Sequence, residues 1–226
     1  MKPIIQIAGI IDQQEADMVL NAGATHLGFP LRLDVHKEDL SEQEAAQIIH
    51  SLPNPKMGVL ITYLNSATAI VDLVRFLGCK TIQLHGSIEI AEIKAIRAEI
   101  QEIQIWKSLI VKQGNFMELQ KSLNYFESFV DAFITDTFDS ATEASGATGK
   151  IHDWDISKRI VEQSIKPVIL AGGLNPENVF DAIVQVQPAG VDAHTGLENP
   201  DSWKDLQKCR EFIAEAKRGF QLVLNK

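Results

Sequence analysis

The chain alternates short apolar runs with longer amphipathic stretches. The runs are Ile4–Ala8, Thr25–Phe29, Met57–Tyr63, Thr81–His85, Ile103–Leu109, Ala132–Asp136, Pro167–Ala171 and Ala189–His194. Each is about five to seven residues long. Several are almost continuous in Ile, Val, Leu and Phe, as expected of strands buried on both faces of a parallel sheet.

The stretches between them carry helical spacing. Asp12–Ala22 ends at Gly23, a residue suited to the left-handed turn that closes a helix. Ser41–Leu52 opens with Ser41 and Glu44 at capping-box spacing and stops before Pro53. Ala67–Leu77, Ile88–Ile100, Phe116–Phe126, Asp155–Gln163, Pro176–Val186 and Asp201–Arg218 complete the set. Pro176 fits a first helical turn, where a missing N–H costs nothing. Trp154 and Trp203 fall at helix starts and read as packing residues. Eight strand–helix units of ~28 residues predict one (β/α)8 barrel over residues 1–226, a TIM barrel with a parallel eight-stranded wall. An open doubly wound sheet is the alternative, less common with eight parallel strands at this length. The longest irregular stretch, Thr137–Asp153, follows the sixth run, where such length carries function more often than disorder.

Charge then removes some partners. Lys and Arg total 21 against 30 Asp and Glu, a net charge of −9. Nucleic acid and anionic membrane are therefore not expected as main partners, because phosphate neutralisation needs clustered cations. A local anion pocket built from backbone N–H groups stays open. Cys79 and Cys209 lack metal-ligand spacing, so neither a metal site nor a disulfide framework is expected, and a reducing cytoplasm fits. The N-terminal run is broken by Gln6 and lacks signal-peptide features, and no run approaches the ~20 apolar residues of a membrane helix. The expected partner is a phosphorylated small molecule, without a cofactor; a homodimer is left open.

Working residues of a barrel sit at the C-terminal ends of its strands. The seventh run ends in Ala171-Gly172-Gly173 and the eighth leads to Thr195-Gly196. Glycine lets backbone N–H groups approach a ligand closely, and this pair of loops often forms a phosphate site. Gly172, Gly173, Thr195 and Gly196 are thus the candidate phosphate cradle. Plain turn duty is the competing reading, and the agreement of two neighbouring loops favours phosphate.

Several words then resemble one family. Leu170–Val179 (LAGGLNPENV), Gln83–Gly86 (QLHG), Asp136-Thr137, Thr148-Gly149-Lys150 with Asp153-Trp154, and Gly190-Val191-Asp192 with Gly196 and Glu198 look like phosphoribosylanthranilate isomerase, a small (β/α)8 barrel of tryptophan biosynthesis. The resemblance runs over nearly the whole chain. It implies an Amadori rearrangement: a phosphoribosyl amine opens to an imine, then loses the C2′ proton. Such chemistry needs a general acid at the ring oxygen and a general base at the carbon. The resemblance implies Asp136 as the acid, a substrate contact at Asp192 and a family lysine at Lys107, which either faces the ligand or pairs with Asp136.

Three departures from the family pattern are plain. The family's cysteine base is replaced by Ala8, which exchanges no proton. The arginine that holds the anthranilate carboxylate has no direct counterpart; His36 falls near its place, and Arg32 lies a few residues earlier within inward reach. His152 stands for a phenylalanine and His194 for a serine, and Ala147 replaces a loop glycine. Along the eighth strand, alternation puts Asp192 and His194 on one face, so His194 is expected to face the space at Ala8 as a proton carrier. His85 reads as structural and His26 as a surface or interelement residue. The leading reading is a phosphoribosylanthranilate isomerase-like enzyme. Its rivals are a diverged barrel acting on another phosphosugar and a non-catalytic phosphate-ligand-binding barrel.

Overall fold

The computed structural model describes residues 2–33, 38–139, 144–145 and 152–225. Its strands are β1 (Ile4–Ala8), β2 (His26–Pro30), β3 (Gly58–Thr62), β4 (Thr81–Leu84), β5 (Gln104–Val111), β6 (Ala132–Asp139), the two-residue β7 (Ala144–Ser145), β8 (Val168–Leu170) and β9 (Gly190–Ala193). Every pair but β6–β7 is parallel, and the β5–β6 pairing closes the sheet on itself. Eight parallel strands thus make a closed barrel among the described residues. Around it run α1 (Gln13–Ala22), α2 (Glu42–Ser51), α3 (Ala67–Leu77), α4 (Ile90–Glu99), α5 (Phe116–Phe126), α6 (Trp154–Gln163), α7 (Val179–Val186) and α8 (Leu206–Leu224). This is the single-domain (β/α)8 barrel that the strand–helix alternation predicts.

Local chemistry sets the helix ends. The Asp12 carboxylate accepts the Glu15 amide, and Gly23 closes α1 at φ 108°. Ser41 and Glu44 form a complete capping box on α2. Pro176 does not enter α7, which begins at Val179: the Asn175 and Asn178 side chains each take an amide of the turn that holds the proline. The last helix starts at Leu206, later than its pattern suggests. Asn199 Oδ1 ties the Asp201 and Trp203 amides into a turn first, and Asp205 then caps the helix. Trp203 therefore precedes the helix and is 46% exposed, so it is not a packing residue.

Two cores follow from the strand period. Outward residues such as Ile5, Ile7, Leu27, Phe29 and Phe133 meet the helices, while Ala8, Val59, Ile61, Trp106, Ala132, Ile134, Ile169 and Ala171 fill the barrel. His26 belongs inside rather than on the surface. Its ring lies 5.4 Å from that of Trp106, and burial pushes its pKa down to about 4. Small side chains dominate the upper wall: a Cβ on Gly28 would come within 2.9 Å of the Ala8 methyl. Among the described residues no helix is long and apolar enough to cross a membrane, and Cys79 and Cys209 are buried free thiols.

Candidate active site

Strand register brings two carboxyls to one level of the barrel. Ile134 pairs with Ile169 and Leu170 with Val191, so two residues beyond the first pair and one beyond the second, Asp136, Ala171 and Asp192 share a level and a face. That face is the barrel interior, since Ile134, Ile169 and Ala171 lie in the inner core. Asp136 Oδ1 accepts the Thr137 amide at 2.7 Å. Burial nevertheless outweighs that bond and raises the Asp136 pKa to about 7. Asp192 rises to about 7 as well, through burial first and the Asp136 charge second, against the opposing pull of Gln6 and Lys204. Its Oδ1 has no hydrogen-bond partner among the described residues. From Gln6, the register partner of Asp192, a polar chain crosses the barrel: Gln6 donates to Gln83, Gln83 to Ser108, and Ser108 meets His85 Nδ1.

On the glycine side, contact between loops dictates the residues. Gly172 and Gly173 are left-handed, at φ 98° and 67°. A Cβ on Gly172 would lie 2.1 Å from Thr137 Oγ1 and 2.9 Å from His152 Nδ1, and one on Gly196 would lie 2.2 Å from the Leu174 carbonyl oxygen. The two loops are therefore packed backbone to backbone at neighbouring strand ends. Thr195 and Gly196 start a short 3-10 turn, Thr195–Leu197. His152 braces this corner, with Nδ1 3.1 Å from Thr137 Oγ1 and Nε2 2.6 Å from Ser157 Oγ. Burial pushes its pKa down to about 4, so it is a neutral strut near neutral pH.

His194 reaches the first strand by a route that alternation does not describe. Strand β9 stops at Ala193, and His194 turns away at φ −127°, ψ −92°. Its ring rests on Gly9, the residue after Ala8: a Cβ there would lie 2.0 Å from His194 Nε2. The same Nε2 lies 3.2 Å from Glu198 Oε1, which also accepts Lys204 Nζ at 2.8 Å. Burial opposes ionisation of Glu198, but His194 and Lys204 outweigh it and hold the carboxyl at about 2. The Lys204 backbone amide donates to Glu15 Oε1, and Ile11 donates to Glu15 Oε2. Glu198 lies one helical turn from His194 in sequence, but its buried lysine partner is brought in by an irregular loop and has no signature in the pattern.

Two predicted contacts are displaced. Lys107 pairs in register with Phe133 and Asp136 with Ile110, so Lys107 and Asp136 point to opposite faces of the wall. The Lys107 amine donates to the carbonyl oxygens of Leu84, Gly86 and Ser108 at 3.1, 2.9 and 3.2 Å. It neither pairs with Asp136 nor faces the interior. Arg32 likewise turns to α2, where its guanidinium forks onto the Glu42 carboxylate at 2.7 and 3.3 Å. His36 and residues 146–150 of the glycine-bearing loop lie outside the described residues. No cluster of metal-binding side chains occurs among the described residues.

Comparison with known proteins agrees with this architecture. The family model for N-(5′-phosphoribosyl)anthranilate isomerase matches residues 5–215. N-(5′-phosphoribosyl)anthranilate isomerase 2 of Methanosarcina mazei is 38% identical over 222 residues, covering 98% of this chain and 97% of its own. The isomerase of Methanosarcina acetivorans is 32% identical, with 96% and 94% covered. Among solved structures, the isomerase of Thermotoga maritima superposes with a TM-score of 0.79 at 28% identity, covering 96% of this chain and all of its own. A phosphoribosylanthranilate isomerase bound to reduced 1-(o-carboxyphenylamino)-1-deoxyribulose 5-phosphate gives 0.78 at 27% identity, with 96% and 100% covered. With nearly its whole length matched by the family model, the chain belongs to the N-(5′-phosphoribosyl)anthranilate isomerase family.

Proposed function

We infer that the protein is an isomerase acting on a phosphoribosyl amine of the phosphoribosylanthranilate type. The observation that carries this reading is the Asp136 carboxyl, which faces into the barrel level with Asp192 and whose pKa burial pushes up to about 7. An acid that is still protonated near neutrality is what sugar ring opening requires. Asp136 gives its proton to the ring oxygen as the C1′–O bond breaks, and an imine forms. Loss of the C2′ proton to a base then gives the enolamine, which tautomerises to the aminoketose.

The other roles follow from position. Backbone N–H groups of Gly172-Gly173 and Thr195-Gly196 take the phosphate, the group shared by the substrate class and the ligand of the solved relative. Asp192, level with Asp136, receives sugar hydroxyls. His194, on Gly9, carries the proton that Ala8 is unable to carry. All these residues come from one chain, so this reading needs no second copy. The buried free thiols support placement in a reducing cytoplasm.

The test is turnover of phosphoribosylanthranilate by the purified protein, compared with its Asp136→Asn variant. Turnover by the wild type and a folded, inactive variant are expected. Equal rates in the two would remove Asp136 from the reaction.

A further inference from the structure

Around the barrel wall, strand β6 with Asp136 has the glycine loops of β8 and β9 on one side and β5, β4 and β3 on the other. On this second side a cleft of about 780 Å³ opens between the turn after β4 and helix α5. It begins beside the acid. Ile110, which lines the cleft, is the register partner of Asp136. Ser108 lines it too and pairs with Ile134 of the inner core, so both side chains lie on the inner face of the barrel.

Hydrogen bonds and close packing hold the walls of this cleft. Lys107 Nζ pins the turn after β4 through the carbonyl oxygens of Leu84 and Gly86. Gly86 packs so closely on the end of β3 that a Cβ there would come within 2.9 Å of the Tyr63 carbonyl oxygen. At the turn into α5, Asn115 accepts the Lys112 amide and donates to the Ile110 carbonyl oxygen, each at 2.9 Å. The rings of Tyr63 and His85, 4.7 Å apart, supply an aromatic surface. Lys107, Lys112 and Lys121 outnumber Glu89 and Glu118 along the lining, in a chain whose net charge is −9. Among the described residues no carboxylate acts on the buried Lys107 ammonium.

We propose that this cleft is the subsite for the aromatic carboxylate half of the substrate, with the ring against Tyr63 and His85 and the carboxylate toward Lys112 and Lys121. This rests on the reading that the substrate is a phosphoribosyl amine of the phosphoribosylanthranilate type. Such a molecule carries phosphate, sugar and aromatic acid in a row. With the phosphate on the glycine loops of β8 and β9 and the sugar at Asp136, the third part continues past Ile110 into the cleft. On the β2 side, Arg32 is already engaged by Glu42. Lys107 stays part of the frame, its hydrogens on carbonyl oxygens, and its charge adds to the field that the carboxylate enters.

The test is calorimetric binding of three probes to the full-length protein. They are reduced 1-(o-carboxyphenylamino)-1-deoxyribulose 5-phosphate, the same compound without its ring carboxylate, and ribitol 5-phosphate, which has no ring. The wild type should bind the first about tenfold more tightly than the second, the sum of two partly exposed ion pairs. Changing Lys112 and Lys121 together to Ala, both at exposed positions, should abolish that preference and leave affinity for the second probe unchanged. Ser122→Phe fills the cleft from α5 and should weaken both ring compounds by about tenfold or more, with ribitol 5-phosphate bound as by the wild type. A double variant that keeps the preference overturns the carboxylate contact. A Ser122→Phe variant that binds the first probe like the wild type, or that loses ribitol 5-phosphate to the same degree, overturns the subsite. No turnover of phosphoribosylanthranilate by the wild type overturns the functional reading, and the occupant of the cleft with it.

Discussion

Asp136 and Lys107 stand on adjacent strands, both with their ionisable groups buried, yet they do opposite things. The Lys107 amine has three donors and spends them on three carbonyl oxygens of its own wall. The Asp136 carboxyl has room for several donors and, among the described residues, receives one, from its neighbour Thr137. A buried group whose bonds are complete is part of the frame. One left short on the inner face of the barrel is poised to take its missing partner from a ligand. The same contrast separates Asp192, with its unpartnered Oδ1, from Arg32, whose fork is already filled by Glu42.

Removing the poised group should produce the largest effect. Asp136→Asn is expected to lower kcat by on the order of 10²–10⁴. The same change should raise thermal stability at pH 8. Asp136 has a folded pKa near 7 against an ordinary 3.8, so folding holds its proton more tightly than the unfolded chain does. The penalty for burying the ionised form grows as pH rises from about 4 to 7 and is complete above 7. The gain in melting temperature should therefore shrink toward pH 4. Calorimetry at the two pH values checks it, and an equal shift at both would break the contrast.

Gly172→Ala comes next. Its Cβ would meet Thr137 Oγ1 and His152 at a left-handed φ, so about 1–3 kcal/mol of stability should be lost. If this corner is the phosphate cradle, KM should rise as well. Lys107→Met should cost about 1–3 kcal/mol by stranding buried carbonyl oxygens, measured by urea unfolding, while kcat stays at the wild-type value. A large kcat loss in a folded Lys107→Met protein would place the amine in the chemistry. Arg32→Ala should do least. Its pair with Glu42 is partly exposed, so a change within ~1 kcal/mol in stability and an unchanged kcat/KM are expected.

The barrel was legible because its strands are short runs rich in Ile, Val, Leu and Phe set between helical patterns, and its glycine loops because close backbone contact admits nothing larger. Where reading failed, a side chain's face was at issue. The family resemblance brings Lys107 to the site, whereas the parity of its strand turns it outward, and a step of one residue reverses the face. For His194 only the route differs: the strand ends at Ala193, and the ring reaches Gly9 from the turn beyond it. Arg32, within inward reach by its place near the family arginine, turns instead to Glu42 on the next helix, ten residues away, a partner no local pattern announces. Glu198 and Lys204 form a pair across an irregular turn, and no periodicity announces such a contact.

The most direct measurement is the pH dependence of kcat/KM for phosphoribosylanthranilate with the wild-type protein. A general acid whose proton is held to about pH 7 imposes a fall in kcat/KM as pH rises through that value. The account predicts this basic limb, and predicts that it is missing from whatever residual rate Asp136→Asn retains. A wild-type profile that stays level from pH 6 to 9 would contradict it.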